Sequence, residues 1–354
     1  MQLFYAKTVL VEKGMIENMN GFFRLVLIFL FLVSLCVSGC RKVNDQETLP
    51  YGWQENRFEH AELTRWYRVY LPDPLPENPA LVLYLHGGTL SMRSLFSPLV
   101  DGTKTWMSIA EQEGVVLLVP NGVNSKTGDT FGNDQNWNDF RPDNAAGQTP
   151  VDDVGFLLAL LDEISSEVPI DENRIFVTGA SNGGFMTYRL LIEAPERFAA
   201  GAVFIANLPE FEGGLPLPDQ PIPVMIANGT DDPLVPWEGG MVGKDRGMVV
   251  SAEDTVEWWV SANQADPDQM VSRFIPESDP ADQCQVRMDF YPAGDGGAPV
   301  LFYAILGGGH TMPSLEQSGL ENKVFRRIFG PVCHEVEGVL LAWDFFQEVT
   351  KPNP

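Results

Sequence analysis

The sequence predicts an α/β fold with a mostly parallel central sheet and helices on both faces. Three observations carry this expectation. Short continuous apolar runs recur along the chain, segments with apolar residues at helical spacing lie between them, and Gly, Asn and Asp gather in the stretches that follow. With 354 residues, 44% hydrophobic and 20% charged, there is material for a large core, so collagen-like, disordered and disulfide-scaffold classes are excluded. A formal charge of −25 argues against nucleic acid as a partner, because a phosphate-binding surface needs clustered Lys and Arg. Direct adsorption to an anionic membrane is disfavoured for the same reason.

The first element is an address. Arg24 precedes Leu25 to Val37, in which only Ser34 is polar, and Ser38, Gly39 and Cys40 follow. A basic start, an apolar run too short to span a bilayer and small residues at the end read as a signal peptide over residues 1–39. The pattern is cleaner if translation starts at Met15 or Met19. Val37-Ser38-Gly39-Cys40 resembles a bacterial lipobox, which implies lipidation of Cys40 and a tether through residue 50. Ordinary secretion and a retained N-terminal helix are the alternatives. Residues 51–354 are then one catalytic domain.

In that domain, Arg65 to Leu71 alternates as a strand does, and four prolines between Pro72 and Pro79 end it. Ala80 to Leu85, Val115 to Val119, Arg174 to Thr178, Gly201 to Ile205 and Pro223 to Ala227 are apolar runs of the kind buried on both faces of a parallel sheet. Val154 to Ile164, Asn182 to Leu191 and Thr255 to Val260 have helical spacing, with Trp258 and Trp259 expected in the core. Val286 to Tyr291 and Val300 to Ile305 read as later strands, and Val339 to Val349 as a closing helix. The Gly-, Asn- and Asp-rich stretch Asn121 to Pro150 is long enough to predict a functional loop. Cys284 and Cys333 would close a 49-residue loop in an oxidising compartment, a pairing that stabilises by about 4 kcal/mol; two buried free thiols are the alternative.

Arg174 to Thr178 runs into Gly179-Ala180-Ser181-Asn182-Gly183-Gly184 and then a helix. A nucleophilic serine on a sharp strand-to-helix turn needs this context, since the crowded backbone tolerates only minimal side chains two residues away. The hydroxyl also needs a base. Of four histidines, His310 in Gly307-Gly308-Gly309-His310-Thr311 follows a strand late in the chain and is the candidate, whereas His86 is expected to be structural beneath its loop. For the orienting acid, Pro223 to Ala227 ends in Asn228-Gly229-Thr230-Asp231-Asp232, at a strand's C-terminal edge; Asp232 is the first choice and Asp231 the reserve. The backbone N–H of Asn182 and one from His86-Gly87-Gly88-Thr89, Gly88 first and Thr89 second, would receive an oxyanion.

Five motifs now stand in order: Leu85-His86-Gly87-Gly88, Val151-Asp152-Asp153-Val154-Gly155-Phe156, the turn around Ser181, Gly229-Thr230-Asp231-Asp232-Pro233-Leu234-Val235-Pro236, and Gly308-Gly309-His310-Thr311. From about Ala80 to Phe346 the chain resembles the polyhydroxybutyrate depolymerase and feruloyl esterase-like secreted α/β-hydrolases. The resemblance implies an α/β-hydrolase fold and a Ser181, Asp232, His310 triad that hydrolyses esters through an acyl-enzyme. Asn228 and Met312 depart from the family pattern, standing where a His precedes the Gly-Thr and a Trp follows the His-Thr.

Trp137, Phe140 and Trp237 are the expected aromatic walls of a substrate cleft, with Asn136 and Asn138 as polar contacts; such walls suit a feruloyl ring, an acetylated sugar or a hydroxyalkanoate ester equally. The absence of a recognisable polymer-binding module favours soluble oligomers or small esters. Neither a metal nor a cofactor is implied, the histidines lacking paired spacing. A serine peptidase of related fold and a catalytically silent surface lipoprotein are the competing readings.

Overall fold

The computed structural model describes residues 51–96, 102–141, 151–277, 283–316 and 322–349. The expected signal peptide, Cys40 and the tether lie outside the described residues, as does the end of the Asn121 to Pro150 loop.

Among the described residues there are twelve strands: β1 (Gly52–His60), β2 (Leu63–Leu71), β3 (Leu81–Leu85), β4 (Val116–Pro120), β5 (Ile175–Ala180), β6 (Ala200–Phe204), β7 (Val224–Gly229), β8 (Gly240–Met241), β9 (Met248–Val249), β10 (Val271–Phe274), β11 (Gln285–Tyr291) and β12 (Val300–Leu306). Ten of them form one sheet in the order β1-β2-β4-β3-β5-β6-β7-β12-β11-β10, and β8 pairs with β9 in a small hairpin. The strands β4, β3, β5, β6, β7 and β12 run parallel. Antiparallel strands flank them, β2 and β1 at one side and β11 and β10 at the other. The sheet is that of an α/β-hydrolase.

Helices α1 (Gly102–Glu113), α2 (Asp153–Glu167), α3 (Asn182–Glu193), α4 (Ala252–Ala262), α5 (Lys323–Phe329) and α6 (Gly338–Glu348) accompany it. Side chains alternate across a strand, so each central strand serves two cores. On β6, Ala200, Ala202 and Phe204 join Trp106 of α1 and Trp343 and Phe346 of α6 in one cluster, while Gly201 between them lies against Leu191 of α3. Phe176 of β5 stacks on Phe346 with ring centroids 4.5 Å apart, fixing α6 to that face. The fully apolar runs of the sequence are the fully buried strands β3, β4, β6 and β7.

The expected elements are present with ends shifted by a few residues. The sequence reading missed β1, α1, β10, α5 and the β8–β9 hairpin. All are partly exposed or short, and three of the first four residues of α1, Gly102, Thr103 and Thr105, have weak helix propensity. Cys284, just before β11, is disulfide-bonded to Cys333, with Cα atoms 5.5 Å apart. Among the described residues no helix is long and apolar enough to cross a membrane.

Candidate active site

β5 ends at Ala180 and α3 begins at Asn182, so the reversal of direction falls on Ser181 alone. Its backbone sits at φ 54° and ψ −123°, outside the regions that residues with a Cβ favour, at a cost of roughly 1–3 kcal/mol. Neighbouring backbone holds it there: Ser181 N–H donates to Phe204 O at 3.0 Å, and its own carbonyl accepts from Phe185 N–H at 2.9 Å. The flanking glycines are required by close approach. A Cβ on Gly183 would overlap the carbonyl oxygens of Leu85 and His86, and one on Gly179 would strike the backbone of Gly183.

Asp232 follows β7 and His310 follows β12, the neighbouring parallel strand. His310 Nδ1 and Asp232 Oδ2 are 2.7 Å apart, with both side chains largely withdrawn from solvent. A carboxylate only accepts, so Nδ1 carries a proton and Nε2 is the nitrogen turned to proton exchange with a substrate. The second oxygen of Asp232 accepts from Leu234 N–H at 2.7 Å and Val235 N–H at 2.8 Å, which fixes the carboxylate's orientation. Asp231, the reserve, is exposed and bonded to Thr230 Oγ1. The loop carrying His310 is backed by the C-terminal segment: Gly309 N–H and Thr311 Oγ1 both donate to Pro331 O, and the Cys284–Cys333 disulfide anchors that segment. Ser181 Oγ and His310 are not hydrogen-bonded to each other; the side-chain bond of His310 is the one to Asp232, and a nucleophile–base bond of this kind forms in the Michaelis complex.

Asn182 occupies the first position of α3, where a backbone N–H has no partner within the helix. Of the two candidates in the loop after β3, Thr89 N–H is occupied, donating to Gln135 O at 2.9 Å, whereas Gly88 N–H has no partner among the described residues. Gly88, Asn136, Ser181 and Asn182 line the same cleft. Its N–H groups can receive the oxyanion formed when Ser181 Oγ adds to a carbonyl, while His310 can take and return the proton.

His86 is buried under this loop. Its Nδ1–H donates to Gly87 O at 2.8 Å and its Nε2 accepts from Gly122 N–H at 3.0 Å, so both nitrogens are spent on holding the loop. Burial lowers its pKa to about 4 and keeps the ring neutral.

The expected aromatic walls are corrected by the structure. Trp137 is fully buried: its Nε1–H donates to His86 O, its backbone N–H to Asn182 Oδ1, and its ring lies against His86. Phe140 packs on Phe211, and Trp237 on Phe302. None of the three lines the cleft over Ser181, whose wall is polar and cationic: Thr89, Asn124, Ser125, Lys126, Asp134, Arg141, Val242 and Arg246 complete it. Of the expected polar contacts, Asn136 is in the wall, but Asn138 is turned toward Val151 O. Trp259 is buried as expected, whereas Trp258 is half-buried on a separate, larger cavity of about 700 Å³ that contains none of Ser181, Asp232 and His310.

Sequence reasoning missed what braces the nucleophile. The Asn182 side chain donates to Asp139 Oδ2 at 2.7 Å, Asp139 pairs with buried Arg141, and Arg141 lies 3.7 Å over the Phe185 ring of α3. Asp153 accepts from Asn138 N–H at 2.7 Å and pairs with fully buried Arg65 at 2.6 Å, so the Val151 to Phe156 motif fastens the same loop. Asn228 departs from the family pattern for a visible reason: its amide accepts from Ala206 N–H and donates to Asn207 Oδ1, tying the end of β7 to the turn after β6.

The model of the prolyl oligopeptidase family matches residues 103–208. Among curated relatives, "Putative esterase NocK" of Nocardia uniformis subsp. tsuyamanensis is 30% identical over 265 residues, covering 72% of this chain and 72% of that protein. "Probable feruloyl esterase C" of Aspergillus niger is 26% identical over 261 residues, 72% of this chain and 80% of the relative. Poly(3-hydroxybutyrate) depolymerase of Ralstonia pickettii is 33% identical over 157 residues, 42% of this chain and 30% of the depolymerase.

Proposed function

The chain belongs to the α/β-hydrolase esterase family, and from that premise we propose an exported serine carboxylic-ester hydrolase acting through an acyl-enzyme on Ser181. The observation that carries this reading is the 2.7 Å His310–Asp232 pair at the ends of adjacent strands of the sheet that presents Ser181 on its strained turn. Ser181 Oγ attacks the ester carbonyl as His310 Nε2 takes its proton, Asp232 stabilises the imidazolium, and the Gly88 and Asn182 N–H groups hold the oxyanion. The alcohol leaves with the proton from His310, and water repeats the sequence to release the acid. Candidate substrates are feruloyl or acetyl esters of plant polysaccharide fragments, and hydroxyalkanoate esters, supported by the names of the relatives. Export and a lipid on Cys40 are supported by the residues from Arg24 to Cys40, and the disulfide suits an oxidising compartment.

The test is hydrolysis of short-chain p-nitrophenyl esters by the full-length protein beside Ser181→Ala, with a feruloyl ester and a hydroxybutyrate oligomer in parallel. We expect the alanine variant to lose activity on the order of 10³-fold or more while staying folded. The match to the prolyl oligopeptidase model favours a second reading, a serine peptidase. Serine-dependent cleavage of peptide amides with no ester turnover would move that reading ahead.

A further inference from the structure

The wall over Ser181 reverses the sign of the molecule. The chain has 48 acidic and 23 basic residues, yet Lys126, Arg141 and Arg246 line this cleft against one carboxylate, Asp134. Arg141 is neutralised, being buried in its pair with Asp139. Lys126 and Arg246 are exposed, and neither side chain makes an ion pair or hydrogen bond among the described residues.

Both cations are delivered by preorganised turns. Lys126 sits in a loop closed on Asn124, whose Oδ1 accepts from the N–H groups of Lys126 and Thr127 at 3.0 Å and whose amide donates to Asp134 O at 2.8 Å. Arg246 stands in the β8–β9 hairpin, its N–H bonded to Val242 O at 3.1 Å and its carbonyl held by the Arg141 guanidinium at 3.0 Å. Lys244 and Asp245 beside it carry opposite charges and do not line the cleft. The space between these groups is about 80 Å³, room for a short acyl chain or a carboxylate.

On the reading that Ser181 is an esterase nucleophile, we propose that the preferred substrate is an ester carrying a carboxylate, held by Lys126 and Arg246 beside the scissile bond. Two unpaired cations carried on held turns in the lining of a narrow cleft attract such a group, and an uncharged ester forfeits that contact. The carboxylate can belong to the acid half of the ester, as in a dicarboxylic monoester, or to the alcohol half, as in an oligomer of hydroxy acids.

Two matched pairs of substrates test this with the full-length protein. Mono-4-nitrophenyl glutarate against 4-nitrophenyl butanoate places the charge on the acid half; 4-carboxyphenyl butanoate against phenyl butanoate places it on the alcohol half. In at least one pair we expect kcat/KM to favour the charged ester by about tenfold, mostly through KM. The Lys126→Gln/Arg246→Gln double variant should bring that ratio near one, and 0.5 M salt should shrink it in the native protein. Neutral esters turned over with a ratio of one or less in both pairs, or a ratio that survives the double substitution, overturns the proposal alone. A failure to hydrolyse any of the four esters in a Ser181-dependent way overturns the esterase reading and this inference together.

Discussion

Two adjacent carboxylates follow β7, and one backbone step separates their environments. Asp232 points inward, takes two backbone N–H bonds on one oxygen and meets His310 Nδ1 with the other, while Asp231 stays in solvent. Asp232→Asn should therefore leave the fold intact and lower kcat by about 10⁴-fold, because an amide in that place favours the wrong imidazole tautomer. Asp231→Asn should change kcat by less than about twofold. Steady-state kinetics on one p-nitrophenyl ester compares the two directly, and equal losses would remove the assignment. The sequence ranked Asp232 first and kept Asp231 in reserve; what separates the two in the fold is side-chain direction. It likewise ranked Gly88 before Thr89, and the bond from Thr89 N–H to Gln135 O separates them.

At the level of elements, what was legible followed burial. Strands covered on both faces announce themselves as apolar runs, so β3 to β7 were visible, and the turn at Ser181 was visible because its glycines answer a steric demand. The wall of the cleft was not legible. An aromatic side chain reads the same whether it faces a substrate or supports a loop, and Trp137 turned out to be a support. The disulfide couples two such pieces, joining the start of β11 to the segment that backs the His310 loop. Replacing both Cys284 and Cys333 by Ser should lower unfolding free energy by about 4 kcal/mol, as the denatured chain regains the freedom of a 49-residue loop. Denaturant titration of the two proteins measures the difference, and a loss below about 1 kcal/mol would mean that the bridge does not constrain the unfolded chain.

For the molecule as a whole, acid should be destabilising in a defined window. His86 is neutral in the fold with a pKa near 4, against 6.5 for an exposed histidine. As pH falls through 6.5 the unfolded chain takes up a proton that the native state refuses until about pH 4, so stability drops across that interval by roughly 3 kcal/mol from this residue. Unfolding free energies measured from pH 7 to pH 4, beside a His86→Asn variant that lacks this dependence, isolate the contribution; parallel curves would show that the imidazole is not the cause. The global architecture was the most legible scale, because the order of apolar strands and helical segments already implies a parallel sheet. Its antiparallel flanks were less so, since β1 is an edge strand with many polar residues and β10 is a four-residue edge strand exposed at every position.

The register of β7 beside β12 also sets a timetable. Ser181 and Asp232 leave the ribosome well before His310, and the parallel pairing that joins Asp232 to His310 spans 78 positions of chain. A growing polypeptide therefore carries its nucleophile without a base until the last third has been made and β12 has docked. The hydrolytic centre is therefore complete only once the chain through β12 and the His310 turn has been made.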